Sequence, residues 1–488
     1  MSAALLLSIV VLYFVVLLGI AFYTSRHSNN ESFFIGNRNS KWWLVAFGMI
    51  GTSLSGVTFI SVPGLVGMKE QGFNYFQIVI GYWLGYFVVA FVLLPIYYKL
   101  NLTSIYTYLE KRLGTITYRT GALFFIISRT LGATLRLYLV IKVLEKFVLQ
   151  DMGIPFEVTA IVILALILLY TFRGGVKTIV WTDTLQTTFM LLALIICVCY
   201  IMHDMHMDFG ETWQAMQAKG YTKLFYTDSH KGNFFLKQIL GGAFITITMT
   251  GLDQEMMQKN ISVSNLRDSQ KNMISFCFTL LIANFIFLLL GGLLYLYAGQ
   301  KGIAVTGDDI FPVIAMKSGL PFFITLCFLI GLISAVFPSA DGALTALTSS
   351  FCIDILGMKR KTNTTEIQRK HTRLIVHNMF ALVFLICVFV FREVDKDSLI
   401  NTLLVIANYT YGPLLALFAF GILTKRYVRG EVVPIICLAS PIMCYILKSY
   451  EKQWFSEYVI GQELLIINAT LTFLLLLLFS KKAVNKLL

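Results

Sequence analysis

One apolar stretch of the chain carries Ser334-Ala335-Val336-Phe337-Pro338-Ser339-Ala340-Asp341-Gly342, a dense set of oxygen-bearing residues for so greasy a context. Pro338 has no N–H to give, so the carbonyl of Ser334 loses its helical donor. That freed oxygen, the Ser339 hydroxyl and the Asp341 carboxylate together suit a hard cation. The alternative is a kinked helix whose serines bond back to their own backbone. Asp341 weighs against it, because an unpaired carboxylate at membrane depth is costly. A second carboxylate, Asp183, lies in Arg173-Gly174-Gly175-Val176-Lys177-Thr178-Ile179-Val180-Trp181-Thr182-Asp183-Thr184-Leu185-Gln186 and reads either as an ion ligand or as a cytoplasmic helix-start residue. Two neighbouring carboxylates can also share a proton, so proton and metal cation are rivals for the same place.

Two further segments occupy matching places in the halves of the chain: Gly48-Met-Ile-Gly51-Thr-Ser53-Leu54-Ser55-Gly56-Val-Thr58, and Gly241-Gly242 with Thr250-Gly251-Leu252-Asp253-Gln254-Glu255. Small and polar residues in mid-span make sense where a membrane helix unwinds around a polar ligand. Arg129 and Arg136, seven residues apart, share a helix face. Each reads either as a snorkelling or internally paired cation or as a planar fork for a solute carboxylate.

The elements that must hold these residues are membrane helices, since 57% of the 488 residues are hydrophobic, 13% are charged and the mean hydropathy is +0.76. With about 20 apolar residues per crossing, thirteen spans are expected, at 4–23, 42–67, 75–98, 120–147, 156–172, 179–202, 234–257, 273–299, 321–350, 374–391, 399–423, 432–449 and 461–480. The first run lacks a preceding basic residue and a small-residue cleavage site, so it reads as a retained helix. One set of alternating loops holds 24 of the 39 basic residues, Lys259, Arg373, Arg26, Lys359, Lys361 and Lys486 among them, against 11 in the other. That set is placed in the cytoplasm, with the N-terminus outside and the C-terminus inside. The expected location is the plasma (inner) membrane. The net charge of +13 is met by anionic lipid and needs no nucleic acid.

The eight cysteines fall inside or at the ends of spans and imply no disulfide framework. His203-Asp204-Met205-His206 reads as a solvated loop at a membrane edge rather than a metal site. No phosphate-binding loop is present, which excludes an ATP-driven pump of that type. A membrane enzyme would need a nucleophile and base at the interface, and none is found. A channel would need a continuous polar lining and gives no reason for repeated breaks. A transporter-like sensor adds a soluble domain, whereas about eight residues follow the last span.

The Gly174-Gly175…Trp181-Thr182-Asp183…Gln186 string resembles a signature of the sodium:solute symporter family, whose members carry sugars, proline, pantothenate, iodide or sialic acids. Ser53-Leu54-Ser55-Gly56…Phe59…Pro63-Gly64, Tyr108-Leu109-Glu110-Lys111-Arg112-Leu113-Gly114 and Leu252-Asp253-Gln254…Gln258-Lys259 resemble further family strings in the same order. The resemblance implies an all-α, multispanning LeuT-like fold with two inverted repeats of five helices, 42–202 and 234–423. Residues 1–24 and 432–488 would be peripheral helices of the same transporter domain. It implies sodium-coupled symport of a small polar solute by alternating access, with no cofactor beyond the coupling ion. Proton coupling, or a sensor or channel role, is the alternative. A monomer suffices, and no oligomer is specified.

Carried over without gaps, the family's sodium site falls on Gly51, Leu54, Ala335, Pro338 and Ser339, so that Pro338 stands where a hydroxyl is expected. A second site found in some relatives maps to Asp183, Asp341 and Gly342, and the hypothesised cation cluster is Asp183, Ser339 and Asp341. Solute would be met by Ser53, Ser55 and Thr58, by Phe73, Gln77 and Tyr82, by Arg129 or Arg136, by Asp253 and Gln254, and by Asn408, Tyr409 and Tyr411. Sialic acid carriers of the family use an arginine on the helix that holds Arg129 and Arg136, which makes an acidic sugar or small carboxylate a candidate solute.

Overall fold

A computed structural model describes residues 3–24, 38–358, 360, 365–394 and 398–482. Arg26, Lys359, Lys361 and Lys486 of the expected cytoplasmic set lie outside the described residues. The principal helices are α1 (Ala3–Thr24), α2 (Trp42–Ser53) with α3 (Gly56–Leu65), α4 (Tyr75–Lys99), α5 (Thr115–Leu149) and α6 (Phe156–Asp204). Then follow α7 (Phe235–Gly251) with α8 (Gln254–Ile261), α9 (Leu266–Lys301), α10 (Phe322–Ile355), α11 (Glu366–Glu393), α12 (Leu399–Thr410) with α13 (Gly412–Leu423), α14 (Val432–Ser449) and α15 (Leu464–Leu478). Every expected span falls on one of these elements. At 36 residues α9 is about 54 Å long and must project beyond a hydrocarbon layer of about 30 Å. Its N-terminus is capped by Asn265, whose side chain accepts from the Asp268 N–H at 2.9 Å.

Three crossings are bent pairs: α2/α3 by 56°, α7/α8 by 63° and α12/α13 by 45°. The first two lie where small polar residues interrupt the apolar runs. The third was not expected, although its break at Tyr411-Gly412-Pro413 carries a helix-stopping Gly-Pro pair. The spans expected at 156–172 and 179–202 are joined in the single helical run α6, with apolar segments on either side of Gly174-Gly175. Gly241-Gly242 turns out to serve packing rather than unwinding. A Cβ on Gly242 would strike the Ile78 carbonyl, and one on Gly81 or Gly85 would strike the α7 backbone, so these glycines let α4 and α7 touch backbone to backbone. The actual break comes ten residues after Gly242, beyond a π-helical turn at Ile247–Gly251.

The helices at the chain's ends are not mere surroundings. Tyr13 of α1 reaches the core, its hydroxyl 2.7 Å from that of Ser334 in α10. Asn468 of α15 donates to the carbonyls of Asn408 and Tyr409 at 3.0 and 2.9 Å, satisfying oxygens freed by the α12/α13 break, while Ser440 of α14 donates to its Oδ1 at 2.7 Å. Replacing Asn468 by alanine strands those carbonyls in a buried site, so a loss of about 1–3 kcal/mol is expected, read as a lower melting temperature of the purified protein.

Candidate functional site

The α2/α3 break is built by the backbone. The Leu54 N–H still bonds the Ile50 carbonyl at 2.7 Å, and the next backbone bond along this stretch runs from Phe59 to Ser55 at 3.0 Å. Between them, the carbonyls of Gly51, Thr52, Ser53 and Leu54 receive no hydrogen bond among the described residues. They form a cluster of partial negative charge at the C-terminal end of α2. Across from them α10 continues as helix through Pro338, with Ala335, Ser339 and Asp341 fully buried. The Ser339 hydroxyl donates back to the Val336 carbonyl at 2.9 Å, which leaves its lone pairs available to a cation.

Asp183 does not face an open cation site. Its Oδ2 accepts from the Lys259 ammonium at 2.6 Å, and Lys259 also reaches the Thr52 hydroxyl at 2.6 Å and Glu255 Oε1 at 3.4 Å. Lys259 is 2% exposed, which corrects its assignment to a cytoplasmic loop. Arg373, placed in the same set, is likewise buried in α11. Glu255 in turn pairs with Arg129, which lies 3.7 Å from Asp253. Gly342 makes this possible, since a Cβ there would collide with the Glu255 carboxylate. Buried charges thus run unbroken from Asp183 through Lys259, Glu255 and Arg129 to Asp253. Neither Lys259 nor Glu255 was expected at the site, although the quoted Asp253-Gln254…Gln258-Lys259 string contains the lysine.

A cavity opens beside this network between the two broken helices. Ser53, Ser55 and Thr58 line it from α2/α3, Tyr75, Tyr82 and Tyr86 from α4, and Arg129 and Arg136 from α5. Thr246, Met249 and Thr250 of α7, Asn284 of α9, and Leu403 and Leu404 of α12 complete most of the wall. The two arginines differ in kind. Arg129 is neutralised by Glu255 and Asp253, whereas Arg136, 7% exposed, forms no ion pair or hydrogen bond among the described residues, and its Nε is buried without a partner.

Seven expected solute contacts lie elsewhere. Phe73 packs edge-on against Trp213 and Phe285. Gln77 donates to the carbonyls of Asn74 and Asn233, both at 3.3 Å, and ties two loops together. Asp253 caps α8, accepting from the Glu255 and Met256 N–H groups at 2.9 and 3.2 Å. Gln254 accepts from the Ile105 N–H at 3.0 Å and donates to the Thr103 carbonyl at 2.9 Å, anchoring the loop before the short helix Thr107–Leu113. Asn408 and Tyr409 give their carbonyls to Asn468, and neither they nor Tyr411 line the central cavity. Asn408 and Tyr409 instead edge a second pocket with Gln71, Asn74, Asn233 and Gln462, which shares Tyr75 with the first.

Broken helices flanking a polar cavity within a multi-pass bundle define a secondary transporter of the LeuT-like fold. The chain belongs to the sodium:solute symporter family, whose model matches residues 33–430. Among curated proteins it is 24% identical to the sodium/sialic acid symporter SiaT of Proteus mirabilis over 92% of this chain and 91% of that one. It is 22% identical to the sodium/sialic acid symporter NanT of Aliivibrio fischeri, over 92% and 89%. A solved structure of a Na+-coupled sialic acid symporter in its substrate-bound, outward-open state matches with a TM-score of 0.82 over 98% of both chains, at 19% identity. The protein is a multi-pass membrane transporter and not an enzyme, a sodium-coupled symporter of a small polar solute working by alternating access.

Proposed function

We propose that the solute is a small polar anion bearing a carboxylate, with an acidic sugar of the sialic acid type as the first candidate, and that Arg136 holds the carboxylate. The observation that carries this reading is the guanidinium of Arg136 in the cavity wall, without an ion pair among the described residues, beside an Arg129 already neutralised by two carboxylates. A buried cation without a counter-ion is costly, and an anionic solute supplies the missing partner with bidentate geometry. Two of the curated relatives, sialic acid carriers by name, favour the same class. Ser53, Ser55 and Thr58 would meet the solute's hydroxyls, and Tyr75 and Tyr82, their hydroxyls 3.5 Å apart, would separate the cavity from the second pocket.

The coupling sodium ion would sit on the freed carbonyls of Gly51 and Leu54, the Ala335 carbonyl and the Ser339 hydroxyl, with Asp341 supplying charge nearby. Asp183 changes role in this reading, from ion ligand to counter-charge for Lys259. The inverted repeats are assigned to 42–202 and 234–423, and the basic loops to the cytoplasm, with the N-terminus outside, the C-terminus inside and the plasma (inner) membrane as location.

Thermal unfolding of the purified protein in sodium or potassium, across sugars, sialic acids, amino acids and small carboxylates, tests the reading. A ligand that binds only the folded state raises stability with the logarithm of its saturation. The expected result is stabilisation by a carboxylate-bearing solute that requires sodium. Stabilisation by neutral sugars alone would overturn the anionic assignment, and a response to pH with indifference to sodium would move coupling to the buried carboxylates.

A further inference from the structure

We propose that Thr187 of α6 supplies the hydroxyl ligand that Pro338 removes from the sodium site, so that the ion is held across α2, α6 and α10 together. The proposal rests on the sodium placement given above. Three neighbouring threonines on α6 return their hydroxyls to their own helix: Thr182 to the Thr178 carbonyl at 3.3 Å, Thr184 to that of Val180 at 2.7 Å, and Thr188 to that of Thr184 at 2.8 Å. Thr187 is wholly buried and does not; its Oγ1 has no hydrogen-bond partner among the described residues. It is turned towards α2, where it lies against the point that a Cβ on Gly51 would occupy. The Cγ of Pro338 is 3.4 Å from that same point. Thus a free hydroxyl, the residue carrying one of the freed carbonyls and the proline that lacks a hydroxyl converge on one place.

A hydroxyl left unpartnered in the interior is destabilising, and Thr187 lies towards the freed carbonyls of α2 and the Pro338 ring. The carbonyls could accept a hydrogen bond, yet none is made. A sodium ion would use the hydroxyl's lone pair and the carbonyls alike, since all are hard oxygen donors. Gly51 has a stated purpose in this arrangement: any side chain there would displace the hydroxyl.

The test is sodium titration of the purified full chain with choline as the replacement cation, read by thermal shift and by direct binding of radioactive sodium, without solute. Thr187→Val keeps the shape and removes the oxygen. It is expected to weaken sodium binding by about tenfold or more, since even outer partners of a metal ligand are worth about 10- to 100-fold. In sodium-free medium the same variant should melt no lower than the wild type, because an unsatisfied group has been removed. A merely structural hydroxyl would not give that split. Thr187→Ser should bind sodium as the wild type does, Thr188→Val should leave binding unchanged, and Pro338→Ser on the Thr187→Val background should recover it. Thr187→Ala gives the same comparison if valine is not tolerated. A sodium-responsive wild type with an equally responsive Thr187→Val overturns this assignment alone. A wild type that ignores sodium overturns it together with the sodium placement beneath it.

Discussion

Replacing Arg136 by glutamine is expected to cost an anionic solute about 2–5 kcal/mol of binding, roughly thirtyfold or more in affinity, while sodium binding without solute is unchanged. The size follows from the burial of the guanidinium and from its having no direct ion pair among the described residues. The same change at Arg129 should behave differently. It would strand Glu255 and Asp253 without their partner, so its first effect should be on folding rather than on solute selectivity. Isothermal titration of each variant with the stabilising solute separates the two outcomes. Equal affinity of Arg136→Gln and wild type would sink the carboxylate assignment.

The second large effect is expected at Lys259. Lys259→Met leaves the Asp183 carboxylate buried with no counter-ion, and truncating one member of a buried pair typically costs about 3–5 kcal/mol. Asp183→Asn alone should also be damaging, because the ammonium then keeps only Glu255. Combining the two should recover much of the loss, since neither uncompensated charge remains. The measurement is a double-mutant cycle on melting temperature in sodium-free buffer. Additive losses in the double variant would mean that the 2.6 Å contact carries little energy of its own.

Much of this architecture was readable from composition and punctuation. The Ser53-Leu54-Ser55 break is visible because small polar residues interrupt an apolar run, and hydropathy locates the helices, although α9 and α11 begin seven and eight residues before the expected spans. The site was less readable, for reasons that particular residues make plain. Asp253 and Gln254 stand at a break, but spacing does not say where a side chain points once a helix ends, and theirs turn back to cap α8 and to hold a loop. Lys259 lies near the end of a span, where counting positive charges assigns it to the loop, whereas a short helix after the break carries it inward. Thr187 looks like any other threonine of a membrane helix; only its lack of a hydrogen-bond partner sets it apart from the other described threonines of α6. Gly412-Pro413 was the overlooked mark, masked by the strongly apolar residues around it.

The buried charges around the cavity and the proposed ion site also bear on how the membrane voltage acts on this carrier. Arg129, Arg136 and Lys259 set three formal positive charges against the four negative ones of Asp183, Asp253, Glu255 and Asp341. One sodium ion balances the set, and a monoanionic solute restores the original sum. With one ion per solute, the carrier's cargo is neutral overall and the potential does no work on the complete cycle. Each additional sodium would add about 2.3 kcal/mol of driving force per 100 mV. Beside Asp183, where the family's second site maps, the Lys259 ammonium of α8 already pairs with the carboxylate. With one sodium ion per monoanionic solute, accumulation would follow the sodium concentration ratio and be indifferent to the electrical gradient.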